Sequence, residues 1–363
     1  MQAKNKILLT GGHAATTAMA VVEELVRRES KENLEISWIG SQNAVEGKKI
    51  PNIEFRVFPS LNIKTYSIIS GRWQRKFTFW TIFSFFKIPI GFFQSLFLIF
   101  KIKPRLTVSF GGYTSLPVVF AAWIFGIPVI LHEQTAAAGL ANRISAFFAR
   151  KILLARESSG KFFDPQKSQV TGNPVMTQIA EITPKNVIGD PPVILITSGS
   201  RGSQIINQTV SEVLDSLLQK YRVIHISGEI DYPKFSSKEN IGYEVYPWVD
   251  PMKMDGLYRE ADIVIARAGA NTVSEIMIAR RPSILIPIPW SYLNEQFKNA
   301  ELAVNFGIAK IINQKDLSGK ILEQEITVLI KNWEDMISKV KDKESLDKNA
   351  SKKVVDVIKN YLR

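Results

Sequence analysis

Five short stretches of this 363-residue chain carry residues whose types and spacing suit chemistry. Three are glycine-bearing turns set between an apolar run and a helical periodicity: Thr10-Gly11-Gly12-His13, Phe110-Gly111-Gly112-Tyr113-Thr114-Ser115 and Thr197-Ser198-Gly199-Ser200-Arg201-Gly202-Ser203. Glycine lets the backbone approach a bound group closely. The free N–H groups of the helix that follows, with about +0.5 charge of dipole, stabilise an anion such as a phosphate. One such turn is weak evidence, because α/β proteins also use glycine there for packing; three are stronger. The fourth stretch, Arg267-Ala268-Gly269-Ala270-Asn271-Thr272-Val273-Ser274-Glu275, sets the Glu275 carboxylate on the first turns of a helix. There it can accept both hydroxyls of a ribose or merely offset the helix dipole, and the residues alone leave both open. The fifth, residues 287–299, gathers Asn294, Glu295, Gln296 and Asn299 at a helix start, suited to sugar hydroxyls or to capping and solvation.

Composition removes other chemistries. With no cysteine, disulfide scaffolds, thiolate metal sites, iron–sulfur clusters and cysteine nucleophiles are excluded. Three histidines, His13, His132 and His225, are too few for a multi-histidine metal centre. No G-x-G-x-x-G follows an apolar run, which disfavours a nicotinamide or flavin dehydrogenase. Walker A, H-E-x-x-H and G-x-S-x-G patterns are missing too. So is D-x-D, the acidic pair that holds a metal–nucleotide complex in many glycosyltransferases. Nucleotide-sugar chemistry here would have to release its leaving group without a metal.

The elements that must position these residues follow from periodicity. In the first half, residues 6–9, 35–40, 55–58, 106–110 and 128–131 read as strands, and residues 16–28 and 116–125 as helices. In the second half, strands at 193–197, 223–226, 263–267 and 283–286 alternate with helices at 203–218 and 271–279. Strands that end in glycine turns and feed helices form parallel sheets. The expected fold is therefore α/β, with two Rossmann-like domains facing across a cleft. The joint is expected between Asn173-Pro174 and Pro191-Pro192, and residues 331–363 read as one or two solvent-facing helices of mixed charge.

Charge divides the halves. Residues 1–175 carry 22 Lys and Arg against 10 Asp and Glu, whereas residues 176–363 carry 24 of each, so the whole net charge of +12 lies in the first half. That half is expected to face an anionic partner. Within it, residues 77–100 hold ten Phe or Trp, flanked by Arg72, Trp73, Arg75 and Lys76 on one side and Lys101, Lys103 and Arg105 on the other. The length suits a membrane span, but Lys87, Pro89, Gly91 and Gln94 interrupt it. A buried helix joined to one lying in the membrane interface is the expectation, with Arg72, Trp73, Arg75, Lys76, Phe77, Phe79 and Trp80 as the membrane face. A purely structural aromatic core is the alternative. The start of the chain has no secretory h-region, so a cytoplasmic origin is expected.

At these residues the chain resembles a known family. TGGH (10–13), FGGYTSLPVVFAAWIFGIPVILHEQ (110–134), GLANR (139–143), VTGNPV (170–175), SGSRG with INQ (198–202, 206–208), RAGANTVSEI (267–276) and EQFKNA (295–300) match, in order and spacing, the MurG-type glycosyltransferases. These are the undecaprenyl-diphospho-muramoylpentapeptide β-N-acetylglucosaminyltransferases of peptidoglycan synthesis. The resemblance implies a GT-B fold and metal-independent, inverting transfer of GlcNAc from UDP-GlcNAc to the C4 hydroxyl of MurNAc on lipid I, giving lipid II. It implies no cofactor and no nucleic-acid partner. It places the enzyme peripherally on the cytoplasmic face of the plasma (inner) membrane, against an anionic surface and other wall-synthesis proteins, with roles in cell shape and division. Residues 1–175 would bind acceptor and membrane, residues 176–344 UDP-GlcNAc, and a helix at about 345–363 would pack back on the first domain.

Carried over residue by residue, His13 would be the general base that takes the acceptor hydroxyl proton, a task that suits a histidine near its ordinary pKa. Ser200, with the backbone of Gly199 and Gly202, would meet the diphosphate. Glu275 would hold the ribose, and Trp248, Val249 and Met252 would flank the uracil. Ala270, Asn271 and Thr272 would line pyrophosphate and sugar, with Glu295 and Gln296 near the GlcNAc hydroxyls. Thr10, Gly11, Gly12, Gly111, Gly112, Tyr113, Glu133 and Thr135 would shape the acceptor side. The chain departs from the family pattern at Leu8-Leu9, where a glycine pair is usual, at Ala14 to Thr17, at Thr135 in place of Asn, at Met176, at Arg201 in place of Gln, and at Glu295. Most departures fall on the acceptor side or beside the diphosphate. The alternative readings are a diacylglycerol glycosyltransferase, a UDP-GlcNAc 2-epimerase and a nucleotide-sugar-binding scaffold without turnover.

Overall fold

The computed structural model describes residues 4–12, 14–29, 33–43, 51–69, 79–199 and 202–362, with residues 79–86 described by backbone alone. His13, Ser200, Arg201, Arg72, Trp73, Arg75, Lys76 and Phe77 lie outside the described residues, and Phe79 and Trp80 are placed only as helix backbone. The chain divides into two compact units, Met1–Met176 with Asn349–Arg363, and Thr177–Lys348.

The first unit is built on β1 (Asn5–Thr10), β2 (Leu34–Gly40), β3 (Lys64–Ser67), β4 (Leu106–Ser109), β5 (Val129–Glu133), β6 (Lys151–Leu154) and β7 (Ser168–Val170). They pair in parallel in the order β3-β2-β1-β4-β5-β6-β7. The central strands are almost wholly buried from Ile7 onward, as expected of a parallel sheet covered on both faces, and are rich in Ile, Leu and Val. The order reverses between β1 and β4, which brings the turns after Thr10 and Ser109 side by side at the carboxyl edge.

The second unit repeats the plan with β8 (Val193–Thr197), β9 (Arg222–Ile226), β10 (Tyr243–Tyr246), β11 (Ile263–Ala266), β12 (Ser283–Leu285) and β13 (Ala309–Ile311). The order is β10-β9-β8-β11-β12-β13. Its switch point lies between β8 and β11, where Thr197 pairs with Ala266, so the turns that leave those two strands are neighbours.

Three local expectations need correction. Residues 55–58 are not a strand: Ile53–Val57 is an α-helix and Phe58–Leu61 a 3-10 turn. Glu54, Val57 and Phe58 are the buried positions, a spacing of three and four rather than two, and Pro59 suits a helical first turn. The third strand is instead Lys64–Ser67, an edge strand too exposed to leave an apolar signature. The C-terminal helices are not solvent-facing all round. Trp333 is buried and donates its indole N–H to the Asp262 carbonyl at 2.9 Å. The helix Ala350–Leu362 buries Val354, Val355 and Ile358 within the first unit. There it packs on the helix Ala15–Arg28, with Lys359 paired to Glu29 at 2.9 Å and Arg28 to Asp356.

The aromatic segment forms one helix, Phe79–Ile102, with Pro89 inside it, rather than two. Gly91, Ser95, Ile99 and Ile102 make its buried stripe. Phe92 stacks on Phe120 of the helix Ser115–Ile124, with centroids 5.3 Å apart. The opposite stripe is open, with Phe93, Phe97 and Phe100 exposed by 65%, 64% and 61%. No helix among the described residues is long and apolar enough to cross a membrane.

Candidate active site

At the switch point of the first unit, two glycine turns are bonded to each other. Phe110 N–H donates to the Thr10 carbonyl at 2.8 Å, and Gly12 N–H to the Gly111 carbonyl at 2.9 Å. Gly111 and Gly112 both have positive φ, +80° and +89°. A Cβ at Gly112 would stand 3.1 Å from the Gly12 backbone, and one at Gly111 would stand 2.2 Å from Asn142 Oδ1. The glycines are thus required where turn meets turn and where turn meets side chain.

Glu133, at the end of β5, organises this cluster from beneath. It is buried and accepts hydrogen bonds from Asn142 Nδ2 at 2.7 Å, Thr135 Oγ1 at 2.7 Å and Thr135 N at 2.9 Å. Burial pushes its pKa up, opposed by those hydrogen bonds. Asn142 in turn accepts from Gly112 N–H at 3.1 Å. Glu133 therefore shapes the turn through Asn142, and the Thr135 hydroxyl keeps the loop 135–139 anchored to the same carboxylate. Tyr113 is partly exposed at the head of the next helix. His132, by contrast, is a core residue, with Nε2 3.1 Å from the Gly172 carbonyl.

Two participants in this first-unit cluster, Asn142 and Glu54, are not among the candidate site residues of the sequence. Asn142 lies in the GLANR stretch, which was its only signal. Glu54 had none, since its segment read as leading into a strand. Its buried Oε1 accepts from the backbone N–H of Ala14 at 3.1 Å, at the start of the helix Ala15–Arg28 and one residue from His13.

The switch point of the second unit is more open. The helices Gln204–Leu217 and Ala270–Ala279 begin beside each other at the ends of β8 and β11, and among the described residues neither cap residue bonds its helix through a side chain, as also holds for the helices Ala15–Arg28 and Ser115–Ile124. Ser203, at the cap position, accepts instead from Arg267 at 2.9 Å. Arg267 also donates to the Ile286 carbonyl at 3.0 Å and to Gln314 Oε1 at 2.8 Å. These partners are neutral, and burial lowers the guanidinium pKa to about 10. Arg267 is thus a half-buried cation beside two uncapped helix starts, an arrangement that favours an anion. The RAGANTVSEI stretch contained it, but the residue-by-residue reading passed over it.

The turn 198–203 rests on a buried network. A Cβ at Gly202 would meet the Ser227 carbonyl at 2.3 Å. That carbonyl accepts from Asn207 Nδ2 at 2.7 Å, and Asn207 also bonds Asp231 at 2.8 Å and His225 at 3.0 Å. Burial pushes His225 down to about 4, so the ring is neutral near pH 7. Gly199, in the same turn, has φ +72° and open space where a Cβ would be.

Glu275 lies on the second turn of the helix Ala270–Ala279 and is partly exposed. Its Oε2 accepts from the Tyr258 hydroxyl at 3.0 Å. Burial pushes its pKa up to about 7, and the tyrosine bond opposes that shift. Ala270, Asn271 and Thr272 are partly exposed at the head of the same helix. Trp248 and Val249 follow β10, and Met252 is exposed on a 3-10 turn whose amide is capped by Asp250 at 3.0 Å. The loop before the helix Glu295–Phe306 has Leu293 and Asn294 at positive φ. Gln296 Oε1 accepts from the Ile288 N–H at 3.0 Å, so the side chain clamps this loop. Asn299 is buried and donates to the Ala268 carbonyl at 3.3 Å, a structural role.

Comparison with known proteins follows this division. Residues 10–154 match the glycosyltransferase family 28 N-terminal domain, and residues 193–361 the family 28 C-terminal domain. A UDP-N-acetylglucosamine–N-acetylmuramyl-(pentapeptide) pyrophosphoryl-undecaprenol N-acetylglucosamine transferase from Clostridium kluyveri is 34% identical, over 98% of this chain and 99% of the relative. The crystal structure of Acinetobacter baumannii MurG superposes with a TM-score of 0.68 at 25% identity, covering 98% of this chain and 99% of that one. The glycotransferase of kitacinnamycin, at 14% identity, TM-score 0.70 and full coverage of both chains, shares the fold alone. Full-length identity above 30%, both family 28 domains in sequence order and two switch-point sites of the expected kind place the chain in the MurG family of N-acetylglucosaminyltransferases.

Proposed function

We propose that this chain transfers GlcNAc from UDP-GlcNAc to the C4 hydroxyl of the MurNAc residue of lipid I, forming lipid II for peptidoglycan. The observation that carries the reading is identity along the whole chain to transferases whose names state those substrates. The second unit takes the donor. Glu275 holds the ribose, Trp248, Val249 and Met252 flank the uracil, and Ala270, Asn271, Thr272, Glu295 and Gln296 meet the sugar and its phosphates. The departing UDP carries developing negative charge. The uncapped helix starts after β8 and β11, Ser200 with its flanking glycines, and the Arg267 guanidinium stabilise it without reorganising.

The first unit takes the acceptor. The locked turns Thr10 to Gly12 and Gly111 to Tyr113, braced by Glu133 and Thr135, form a rigid floor, and His13, next after Gly12 in the sequence, removes the C4 hydroxyl proton as the glycosidic bond forms. This unit also meets the membrane, on the cytoplasmic face. Supporting this, the exposed stripe Phe93, Phe97 and Phe100 continues onto Trp123 and Phe125, with Phe100 and Phe125 centroids 6.4 Å apart, and Phe147 is 80% exposed on the helix Leu140–Phe148. Lys103 lies over Phe100 at 5.6 Å, and Arg143 over Phe162 at 5.3 Å. Apolar side chains ringed by cations suit the headgroup boundary of an anionic bilayer, where each cation adds roughly 1 kcal/mol. Such a surface spans three helices, Phe79–Ile102, Ser115–Ile124 and Leu140–Phe148.

The test is transfer of labelled GlcNAc from UDP-GlcNAc to a soluble-chain lipid I analogue, with EDTA present and diacylglycerol as a parallel acceptor. Product from lipid I alone is expected. Product from diacylglycerol alone, or UDP-GlcNAc binding without any transfer, overturns the reading in favour of a lipid glycosyltransferase or a scaffold respectively.

A further inference from the structure

Among the described residues the Glu275 carboxylate is held by one oxygen. The Tyr258 hydroxyl donates to Oε2 at 3.0 Å, and among the described residues no hydrogen bond reaches Oε1. Tyr258 is itself fully buried on the helix Met254–Glu260, so its hydroxyl cannot swing into water without leaving its pocket. The two helices that carry this pair are tied together. Arg281, also buried, donates through Nε to the Tyr258 carbonyl at 2.8 Å and through a terminal nitrogen to the Ala279 carbonyl at 2.6 Å. The Tyr258 helix follows directly from the 3-10 turn Pro251–Lys253 that presents Met252.

We propose that Tyr258 is a positioning residue for the donor's ribose: its buried hydroxyl pins one oxygen of Glu275, turns the other toward the ribose hydroxyls, and so makes the site select ribo- over deoxyribonucleotides. The inference rests on the assignment of Glu275 to the ribose. A carboxylate free to rotate loses side-chain entropy when it accepts a diol; one already fixed does not, and its geometry is set before the ligand arrives. A hydrogen bond donated by tyrosine also favours the ionised carboxylate, the form with two acceptors for the diol. Tyr258 extends the same ordering toward the base, because the chain that carries it also carries Met252.

The experiment is calorimetric titration of UDP and 2′,3′-dideoxy-UDP into the full chain and its Tyr258→Phe and Glu275→Gln variants, with steady-state kinetics alongside. Tyr258→Phe keeps the buried ring and removes only the hydroxyl, and thermal unfolding checks that it folds. Expected for Tyr258→Phe are a loss of about fivefold to tenfold in UDP affinity, no loss for dideoxy-UDP, and a rise in KM for UDP-GlcNAc with kcat kept. An equal loss for both nucleotides marks a merely structural tyrosine and overturns the inference. So does unchanged UDP affinity in Tyr258→Phe when Glu275→Gln weakens UDP, an outcome that leaves the ribose assignment standing. Unchanged UDP affinity in Glu275→Gln removes the ribose assignment itself, and the inference with it.

Discussion

Both sheets place a pair of glycine turns at the point where strand order reverses, and they use glycine to different ends. In the first unit the turns close on each other. Gly12 and Gly112 touch backbone to backbone, Gly111 yields its Cβ space to Asn142, and the amides of Gly12, Gly112, Ala14 and Thr135 all donate to internal acceptors. In the second unit Gly202 packs on Ser227 and the Gly199 and Gly202 amides also donate inward, but Gly199 has open space where a Cβ would be, the Arg267 guanidinium bonds Ser203 at the start of the next helix, and among the described residues no hydrogen bond reaches Glu275 Oε1. A turn set among neutral partners can shape a surface but has little to hold an anion with, whereas one with a guanidinium at the helix start beside it is prepared for a phosphate. A glycine turn at a switch point therefore marks a site without saying whether the backbone binds or merely braces.

The proposed function puts the chemistry in the first unit and donor binding in the second, and the sharpest way to break that division is His13→Ala. Loss of a general base is expected to cut kcat by about 10² to 10⁴, with UDP-GlcNAc affinity by calorimetry nearly unchanged. Equal losses in both would erase the division of labour.

Next in size is a matched glycine pair. Gly111→Ala drives a Cβ into Asn142 at a positive φ and disturbs the hydrogen bonds that satisfy buried Glu133, so a loss on the order of 3 kcal/mol in unfolding free energy is expected. Gly199→Ala meets nothing within 4 Å and should cost only the left-handed strain, about 1 kcal/mol. Comparable unfolding curves for the two variants would contradict the bracing role.

The Glu275 carboxyl, with its pKa raised to about 7, gives donor binding in the second unit a pH signature. In the proposed role the ionised form accepts both ribose hydroxyls, so UDP affinity should rise roughly tenfold from pH 6 to pH 8 and flatten in Glu275→Gln. The folding linkage has the opposite sign. Between the unfolded value near 4.5 and the folded value near 7 the native state holds the extra proton, so this group's contribution to stability is present below pH 4.5 and is lost as pH rises to 7. A pH-independent UDP affinity would remove the carboxylate from the ribose.

The smallest effect concerns the outer face of the first unit. Replacing Phe97 and Phe147 with serine should weaken binding to anionic vesicles severalfold while leaving transfer to a soluble acceptor intact, because both side chains point away from the core. Unchanged vesicle binding would move the membrane face elsewhere on the unit.

Much of this was legible beforehand, and the failures have physical causes. Central strands such as Val193–Thr197 and Ile263–Ala266 announce themselves because a parallel sheet buries both faces. The edge strand Lys64–Ser67 has no such signature, and the helical segment at 53–61 was mistaken for it because a short apolar run has no readable period. The aromatic helix was visible, but not that Trp123, Phe125 and Phe147 from other helices share its open face. In the sites, Glu275 could be picked out by its place after a glycine turn. Tyr258 could not, since it lies 17 residues away on another helix.

Sequence by itself determined the α/β class, the two-sheet plan, the uneven charge and the stretches that place this chain in its family. All of these rest on local periodicity or on residue identity at fixed spacing. The tertiary structure alone decided which glycines brace and which stay open, and that Glu133 acts through Asn142. It alone showed that Glu54 takes the amide beside His13, and that Tyr258 holds Glu275. Each of these is a contact between segments far apart in the chain, set by strand order and helix packing, and no spacing along a sequence encodes the direction in which a side chain finds its partner.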